Sequence, residues 1–283
     1  MIKRLGIVGS GIMGSGIAEV AAKAGIEVLL RSRKQETADA MVSALTKSLD
    51  KQVEKGKLDG TERDQVISRV TGTHDLHALS DCDLVLESVV EDLEVKKTLF
   101  RQLDLAVKDD AILATNTSTL PVVDLAVVTE RPERVCGIHF FNPAPMMSLV
   151  EIVRPLTASD ETIAAARGFA EACGKAPVEV MDRAGFIVNA LLFPYLNNAV
   201  RMLETGTASR DDIDAAMKGG CNFPMGPLAL LDLVGLDTSL AILDALYDEF
   251  RDPNYAAVPT LRRMVAAGHL GRKSGVGFHD YRK

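Results

Sequence analysis

The sequence predicts an α/β domain followed by a smaller all-α domain. Through the first 183 residues, short apolar runs typical of buried parallel strands alternate with longer segments of helical periodicity. After Gly185 the strand-like runs stop and only helical patterns follow. Strands that alternate with helices are typical of a parallel sheet covered on both faces. We therefore expect two domains, at residues 1–183 and 184–283.

The first predicted strand is followed at once by a glycine-rich turn. Leu5–Val8 is a short apolar run, Gly9–Gly14 has the pattern GxGxxG, and Ser15–Lys23 has helical character. A second apolar run, Glu27–Leu30, completes a β-α-β unit. In that context the motif is the signature of a Rossmann-type dinucleotide site. The alternative is a tight turn between strand and helix that binds no ligand.

The residues of this turn have separate expected roles. Gly9 allows the tight turn, Gly11 lets the backbone approach a pyrophosphate, and Gly14 lets the helix pack against the strand. Ile12 and Met13 lie where the first helix approaches the turn, and its backbone amides and dipole favour an anionic group. We therefore expect all five residues to form part of a cofactor site.

The end of the second strand bears on which dinucleotide binds. An NAD site normally has an acidic residue there, which binds the ribose hydroxyls, but this chain has Arg31-Ser32-Arg33. Guanidinium groups suit a phosphate. We therefore predict a preference for NADP(H), with Ser32 and Arg33 at the 2′-phosphate and Arg31 nearby. The alternative, in which the arginines are solvated and NAD(H) serves equally well, stays open.

The rest of the first domain continues the alternation. A long helix is expected from Gln35 to about Lys57, and its basic far end is either a solvated face or a clamp for an anionic substrate. Further helices are expected at Leu93–Val107 and Asp160–Cys173. The further expected strands are Arg69–Gly72, Asp83–Glu87, Ala111–Thr115, Val135–His139, Leu149–Val153 and Ala176–Val180.

Polar side chains follow several of these strands at the point where each strand ends. Glu87–Glu91, Asn116–Ser118 and His139 are placed in this way, as is the glycine-rich turn. Loops after the carboxyl ends of strands line the ligand crevice of an open α/β sheet. We therefore expect these groups to surround one site. His139 is a candidate catalytic residue there, and a hydrogen-bonded histidine of the core is the alternative.

The stretch Gly137–Val153 combines a histidine and a carboxylate within apolar runs. His139 and Glu151 are separated by two phenylalanines and a Pro-rich turn. Histidine is the side chain best suited to transfer a proton at neutral pH. A carboxylate at its other ring nitrogen would fix the tautomer and stabilise the imidazolium. If the turn brings Glu151 back beside His139, the two form a proton-transfer pair.

The second domain is expected to be entirely helical. Its first helix, Phe186–Glu204, contains Pro194, which could kink it. Asn189 is a polar residue in the apolar first turns of this helix, and either a structural role or a place in the active site would explain it. Ser209 is expected to cap the next helix. Further helices are predicted at Leu228–Val234, Asp237–Phe250 and Pro259–Ala267.

Composition excludes several classes of protein. A net charge of −7 argues against non-specific binding to nucleic acid. No apolar run approaches the ~20 residues that span a membrane, and no secretory signal is visible, so we expect a cytoplasmic protein without a membrane partner. The four cysteines have no CxxC spacing, and His74 and His77 lack a third ligand. We expect reduced thiols and no metal site.

Seven sequence blocks, in one order and over essentially the whole chain, resemble the short-chain L-3-hydroxyacyl-CoA dehydrogenase family, which includes 3-hydroxybutyryl-CoA dehydrogenases. The blocks are GSGIMGSGIA at Gly9–Ala18, LVLESVVEDLEVKK at Leu84–Lys97, TNTSTL at Thr115–Leu120, GIHFFNPAPMMSLVEIV at Gly137–Val153, GFIVNALLFPYLNNA at Gly185–Ala199, PMGPLALLDLVGLD at Pro224–Asp237 and GRKSGVGFHDY at Gly271–Tyr281.

The resemblance implies roles for individual residues. His139 would be the catalytic acid/base and Glu151 its partner, with Ser118 and Asn189 hydrogen-bonded to the reacting carbonyl or hydroxyl. The implied cofactor contacts near the nicotinamide are Glu91, Lys96 and Asn142, and the implied contacts with the CoA moiety are Ser48 and Lys55. Many members that use NAD have Asp at the position of Ser32, so the departure at that residue supports NADP(H).

The reaction implied by the resemblance interconverts short (S)-3-hydroxyacyl-CoA and 3-oxoacyl-CoA thioesters, with hydride exchanged with the nicotinamide cofactor. Two alternatives remain: a dehydrogenase of the same fold that acts on a free hydroxy acid or sugar acid, and a non-catalytic nucleotide-binding protein. Ser118, His139, Glu151 and Asn189 together argue against the second. The resemblance also implies a homodimer formed through the helical domain.

Overall fold

A computed structural model describes residues 2–282 of the chain. Over that range the chain forms eight β-strands and eleven α-helices. It divides into two compact units, one ending at Asp182 and the other beginning at Arg183. The predicted fold class, a Rossmann-type α/β unit followed by an all-helical one, is confirmed.

The first unit is built on one sheet, in the strand order β3-β2-β1-β4-β5-β6-β7-β8. Neighbouring strands are parallel, except that β6 and β7 are antiparallel. The sequence did not predict this reversal. The strands are β1 (Arg4–Val8), β2 (Glu27–Arg31), β3 (Val70–Thr73), β4 (Leu84–Glu87), β5 (Ile112–Thr115), β6 (Val135–Phe140), β7 (Leu149–Arg154) and β8 (Ala176–Met181).

Six helices cover this sheet, and some of their bounds differ from the predicted ones. Helix α1 begins three residues before the predicted Ser15, because Gly11 already serves as its N-cap in an extended conformation. The short helices α3 and α5 were not predicted. The helices are α1 (Ile12–Lys23), α2 (Gln35–Glu54), α3 (Gly60–Ser68), α4 (Leu93–Ala106), α5 (Val122–Ala126) and α6 (Asp160–Ala172).

The amphipathic spacing of the long helix explains how it packs. Ala38, Met41, Leu45 and Leu49 recur every three or four residues along α2, and all four are buried. The helix ends at Glu54, three residues before the predicted end, and Lys55 is its C-cap. Side-chain caps fix other helices, because Asp92 accepts from Val95 N at the start of α4.

The second unit has a hydrophobic core of its own. Its helices are α7 (Val188–Glu204), α8 (Arg210–Cys221), α9 (Pro227–Val234), α10 (Leu236–Phe250) and α11 (Pro259–Ala266). Helix α7 begins two residues later than predicted, because Gly185 and Phe186 have positive φ angles of 72° and 50°. Pro194 lies inside α7, and Ser209 caps α8 by accepting from Asp212 N. Within residues 2–282, no helix is long and apolar enough to cross a membrane.

Candidate active site

Four strand ends lie side by side at one edge of the sheet. In the parallel register Val8 pairs with both Arg31 and Glu87, and Glu87 also pairs with Thr115. The loops that follow these strands therefore start next to one another. They carry the glycine-rich turn, the Arg31-Ser32-Arg33 segment, residues 88–92 and residues 116–121. The structure thus brings these four loops together at one edge of the sheet, as the positions of the strand ends in the sequence predicted.

His139 and Glu151 lie directly opposite each other on β6 and β7. His139 Nδ1 is 2.7 Å from Glu151 Oε2. The two residues are 4% and 0% exposed. Because β7 runs antiparallel to β6, the turn between them returns the carboxylate to the same face of the sheet as the imidazole. A carboxylate at Nδ1 holds a proton there and leaves Nε2 as the nitrogen that can exchange one.

The other ring nitrogen faces the loop after β5. Ser118 Oγ lies 3.2 Å from His139 Nε2. The loop is tied to β6, because Phe140 N donates to the side-chain oxygen of Asn116 at 2.8 Å. The ring of Phe141 packs against the imidazole with its centroid 4.6 Å away. Ser118, His139 and Glu151 thus form one hydrogen-bonded row, in which the imidazole is held from both sides.

The glycines of the turn after β1 differ in what surrounds them. Gly9 has φ of +139°, and a Cβ there would overlap the carbonyl oxygen of Ser88. A Cβ on Gly14 would lie 2.7 Å from the Gly9 carbonyl oxygen. By contrast, a Cβ on Gly11 would meet no atom within 4 Å. Gly9 and Gly14 are therefore required by the fold itself, whereas Gly11 leaves open space beside the N-terminus of α1.

A cavity of about 850 Å³ opens between the glycine-rich turn, the end of β2, the loop after β4 and helix α4. Arg31, Ser32 and Arg33 all line it. Ser32 is buried and its backbone N–H donates to Thr73 O, whereas Arg33 is exposed. Arg31 Nε donates to His74 O at 3.3 Å. Burial, and then the nearby charge of Arg33, lower the pKa of Arg31.

Glu91 and Lys96, two predicted cofactor contacts, belong to a buried network of charges. Lys96 is 1% exposed, and its Nζ lies 2.7 Å from Glu87 Oε1 and 3.1 Å from Glu91 Oε2. Glu91 Oε1 accepts from Thr117 Oγ1 and from Ser118 N. Burial would raise the pKa of Glu91, but Lys96 and these hydrogen bonds outweigh it and lower that pKa.

A second cavity, of about 490 Å³, lies between α1, α2 and the turn at residues 142–145. Ser48 and Asn142 both line it. Ser48 Oγ donates to Glu19 Oε2 at 3.5 Å. Lys55 is exposed at the C-terminal end of α2 and is not among the residues that line this cavity. The turn is held in place by Lys175, whose Nζ donates to Ala144 O and Met147 O.

Sequence reasoning gave no individual role to two residues of this region, although Glu87 belongs to the segment Glu87–Glu91 that it expected at the site. Glu87 is fully buried, with Lys96 and Thr115 bonded to its carboxylate. A lone acidic residue at the end of the apolar run Leu84–Leu86 was the available signal. Lys175 gave no signal, because its partners are backbone carbonyls. Within residues 2–282, no group of three His, Cys, Asp or Glu side chains could hold a metal ion.

Asn189, the remaining predicted site residue, belongs to the second unit. It lies in the first turn of α7 and is 8% exposed. The residue is therefore buried, and its place in the active site stays a prediction.

Comparisons with known proteins match both units. Residues 4–183 match the model of the 3-hydroxyacyl-CoA dehydrogenase NAD binding domain, and residues 185–281 match that of the C-terminal domain. The chain is 49% identical to a 3-hydroxybutyryl-CoA dehydrogenase of Mycobacterium tuberculosis, over 99% of each chain, and 46% identical to one of Clostridioides difficile, over 99% and 100%. A solved (S)-3-hydroxybutyryl-CoA dehydrogenase from Ralstonia eutropha, 42% identical, superposes with a TM-score of 0.97 over 100% of both chains.

Proposed function

The chain belongs to the 3-hydroxyacyl-CoA dehydrogenase family, and from that membership we propose its reaction and the residues that perform it. It is an oxidoreductase that interconverts 3-hydroxyacyl-CoA and 3-oxoacyl-CoA with a nicotinamide dinucleotide. The relatives that match its whole length are named for 3-hydroxybutyryl-CoA. The proposed substrate pair is accordingly (S)-3-hydroxybutyryl-CoA and acetoacetyl-CoA.

The observation that carries the proposal is the buried pair of His139 and Glu151 at the carboxyl edge of the sheet. The distance of 2.7 Å between Nδ1 and Oε2 places the carboxylate where it holds the Nδ1 proton. Such a pair is suited to a reaction in which one proton moves to or from a substrate oxygen. Reduction of a ketone and oxidation of an alcohol both need that step.

The residues around the larger cavity fit a nicotinamide dinucleotide. The open space beside Gly11 lets a pyrophosphate approach the backbone amides at the start of α1. Val90 and Val95, 67% and 46% exposed, give the cavity of about 850 Å³ an apolar wall that a flat purine ring would cover. Ile12 is 77% exposed beside the turn, and Met13 is half-buried in the next position.

The proposed cofactor is NADP(H) rather than NAD(H). Ser32, Arg33 and Arg31 line one end of the cavity, and none of them is an acceptor suited to a ribose diol. A phosphate there would meet an exposed guanidinium and a hydroxyl. Glu94 also lines this cavity, and its carboxylate forms an ion pair with Lys97. Because a guanidinium group suits a phosphate, Arg33 supplies the preference for the 2′-phosphate.

In the direction of reduction, His139 acts as the acid. The nicotinamide supplies the hydride that is exchanged with C3 of the substrate. The imidazolium donates the Nε2 proton to the oxygen on C3, and Glu151 stabilises the charge that the ring carries beforehand. Ser118, 3.2 Å from Nε2, hydrogen-bonds that oxygen and holds it near the ring. In the direction of oxidation the same groups take the proton away.

The proposed site for the CoA moiety is the smaller cavity beside α2. Ser48 lines it, and Lys55 follows at the end of the same helix, where an ammonium group suits a phosphate. Asn142 lines it from the opposite turn and is proposed to face the nicotinamide side.

Family membership supports a substrate contact for Asn189 and a homodimer through the helical unit. Glu91 and Lys96 are proposed to act at the nicotinamide ribose.

Steady-state kinetics test the proposal. The purified protein is assayed with acetoacetyl-CoA and with free acetoacetate, each with NADPH and NADH. The expected result is turnover of the thioester, at a higher kcat/KM with NADPH. Equal kcat/KM for the free acid would favour the dehydrogenase of free hydroxy acids instead. Tight NADPH binding without turnover of any 3-oxoacyl-CoA would favour the non-catalytic alternative.

A further inference from the structure

The end of β4 holds a carboxylate that the proposed reaction does not use. Glu87 is 0% exposed, and both of its oxygens are bonded. Oε1 accepts from Lys96 Nζ at 2.7 Å and from Val89 N at 2.6 Å. Oε2 accepts from Lys96 Nζ at 2.9 Å and from Thr115 Oγ1 at 2.7 Å. A charge so fully desolvated costs free energy unless it is paired and hydrogen-bonded in this way.

Lys96 connects this buried carboxylate to an accessible one. Its Nζ lies 3.1 Å from Glu91 Oε2, and the Glu91 side chain is 40% exposed. The ammonium group therefore stands between two carboxylates, one inside the protein and one at the surface of the cofactor edge. Two anions share one cation, so the position of the ammonium group between them depends on both.

The accessible carboxylate in turn holds the loop that carries Ser118. Glu91 Oε1 accepts from Ser118 N at 2.9 Å and from Thr117 Oγ1. The same loop is also linked to Glu87 through Thr115. Thr117 N donates to Thr115 Oγ1, and Thr115 Oγ1 donates to Glu87. Residues 88–92 also contact the glycine-rich turn: the Ser88 carbonyl oxygen lies so close to residue 9 that only a glycine fits there. One chain of contacts thus joins the turn, Glu91 and Ser118.

We propose that Glu87 is a positioning residue of the cofactor site, which acts through Lys96 to set where Glu91 stands. The inference rests on the proposed function, in which Glu91 contacts the nicotinamide ribose. With Glu87 present, the ammonium group is held in the interior by a two-oxygen contact, and Glu91 is bound to it by one oxygen only. Without the charge of Glu87, Lys96 has Glu91 as its one anionic partner in this network. The stronger pairing draws Glu91 away from the ribose and loosens the Ser118 loop.

The test compares two isosteric changes in buried ion pairs. Glu87→Gln removes the charge at the cofactor edge. Asp104→Asn is the matched control, because Asp104 forms a pair with Arg131 Nε at 2.6 Å and is 7% exposed. Arg131 also donates to Lys108 O, and Lys108 pairs with Asp83, just before β4, so the control pair lies near the opposite edge of the sheet. Both variants are expected to lower Tm.

The readout is the Kd of NADPH, measured by titration without substrate. Glu87→Gln is expected to weaken binding roughly ten- to hundredfold, because a hydrogen bond to a charged group is displaced, whereas Asp104→Asn leaves the Kd unchanged. In a Glu91→Gln background, Glu87→Gln is expected to add no further weakening. An equal loss in both backgrounds, or no loss in the wild-type background, overturns the inference. If Glu87→Gln does not fold, Thr115→Val tests the same link, with a smaller loss expected only when Glu91 is present.

Failure of the proposed function gives a different pattern. If Glu91→Gln alone leaves the NADPH Kd unchanged, Glu91 is not a cofactor contact, and both the assignment and the inference fall together. If Glu91→Gln weakens binding and Glu87→Gln does not, only the inference falls.

Discussion

Glu151 lies on the rung of the β-ladder directly opposite His139, so a separation of twelve residues in sequence becomes a distance of 2.7 Å between Oε2 and Nδ1. The side chains of an opposed pair point to the same face of a sheet. Both residues are buried, and the backbone hydrogen bonds of the two strands fix their relative position. The two side chains are therefore held in place by the sheet itself.

Replacing His139 by Gln should remove the proton donor and leave the cofactor site intact. We expect kcat for acetoacetyl-CoA reduction to fall by roughly 10²–10⁴-fold. The NADPH Kd should stay unchanged, because His139 is not among the residues that line the cavity beside the glycine-rich turn and the arginine segment. Steady-state kinetics and a binding titration measure the two quantities. A variant that keeps half of the wild-type kcat would show that His139 is not the acid.

Replacing Glu151 by Gln should give a similar loss of kcat for a different reason. The amide of Gln can present an N–H to Nδ1, which favours the wrong tautomer and no longer stabilises the imidazolium. We expect a loss of about 10²-fold or more in kcat. Glu179→Gln is the control, because Glu179 lies on the neighbouring strand β8 and pairs with Arg154. Equal effects of the two changes would argue against a specific role for Glu151.

The segment after β2 should determine the choice of dinucleotide. Arg33→Ala is expected to lower kcat/KM for NADPH roughly tenfold or more and to leave that for NADH nearly unchanged, because only NADPH carries the 2′-phosphate. Combined with Ser32→Asp, it should favour NADH. Arg134→Ala controls for the change in net charge, since Arg134 just precedes β6 and is bonded to Asp110 O. A clear preference of the wild-type protein for NADH would contradict the prediction.

Two glycines of one motif should respond differently to the same substitution. Gly9→Ala places a methyl group on the Ser88 carbonyl at a φ of +139°, so we expect a loss of about 1–3 kcal/mol in stability. Gly11→Ala meets no atom within 4 Å and has an ordinary φ of −82°, so Tm should hardly change. Its methyl group nevertheless occupies the space proposed for the pyrophosphate. Thermal unfolding and NADPH titration should therefore separate the two; equal Tm losses would contradict this reading.

The thiols should differ in reactivity at pH 8. Burial raises the pKa of Cys82 to about 11, and that of Cys136 and Cys173 to about 12. These three are protonated at pH 8, and only the thiolate reacts. Cys221 is exposed. We expect a thiol reagent to label one cysteine in the native protein and four after denaturation, and Cys221→Ser to abolish the native labelling. Rapid labelling of two or more thiols would contradict this burial pattern.

Local patterns predicted most of the α/β unit, because each strand is a short apolar run and each long helix has a buried stripe. The start of α1 was predicted too late, since Gly14 has low helical propensity although the backbone is already helical from Ile12. Helix α3 was missed because, of its nine residues, Val66 alone is buried. Its polar sequence has no periodic apolar face from which to recognise it.

Site residues could be predicted where they lie at the end of a strand. They could not be predicted where their role depends on a partner that is distant in sequence. His139 lies near the carboxyl end of a strand, so its placement at the cofactor edge could be inferred. The burial of Lys96 could not, because a lysine on a charged helix is usually solvated. The buried ammonium group is compensated by Glu87, nine residues earlier and on another element, together with Glu91. The spacing of the two residues in the sequence does not predict this contact.

The opposed register of β6 and β7 also constrains how such a protein can vary over evolutionary time. One residue inserted into either strand would turn every later side chain of that strand to the other face, which would separate imidazole from carboxylate in a single step. The connection between the strands is under no such rule, and its exposed residues Met146 and Met147 lie outside the ladder. Changes confined to the side chains of Met146 and Met147 would therefore leave the opposed register of His139 and Glu151 intact, both in related proteins and in engineered variants.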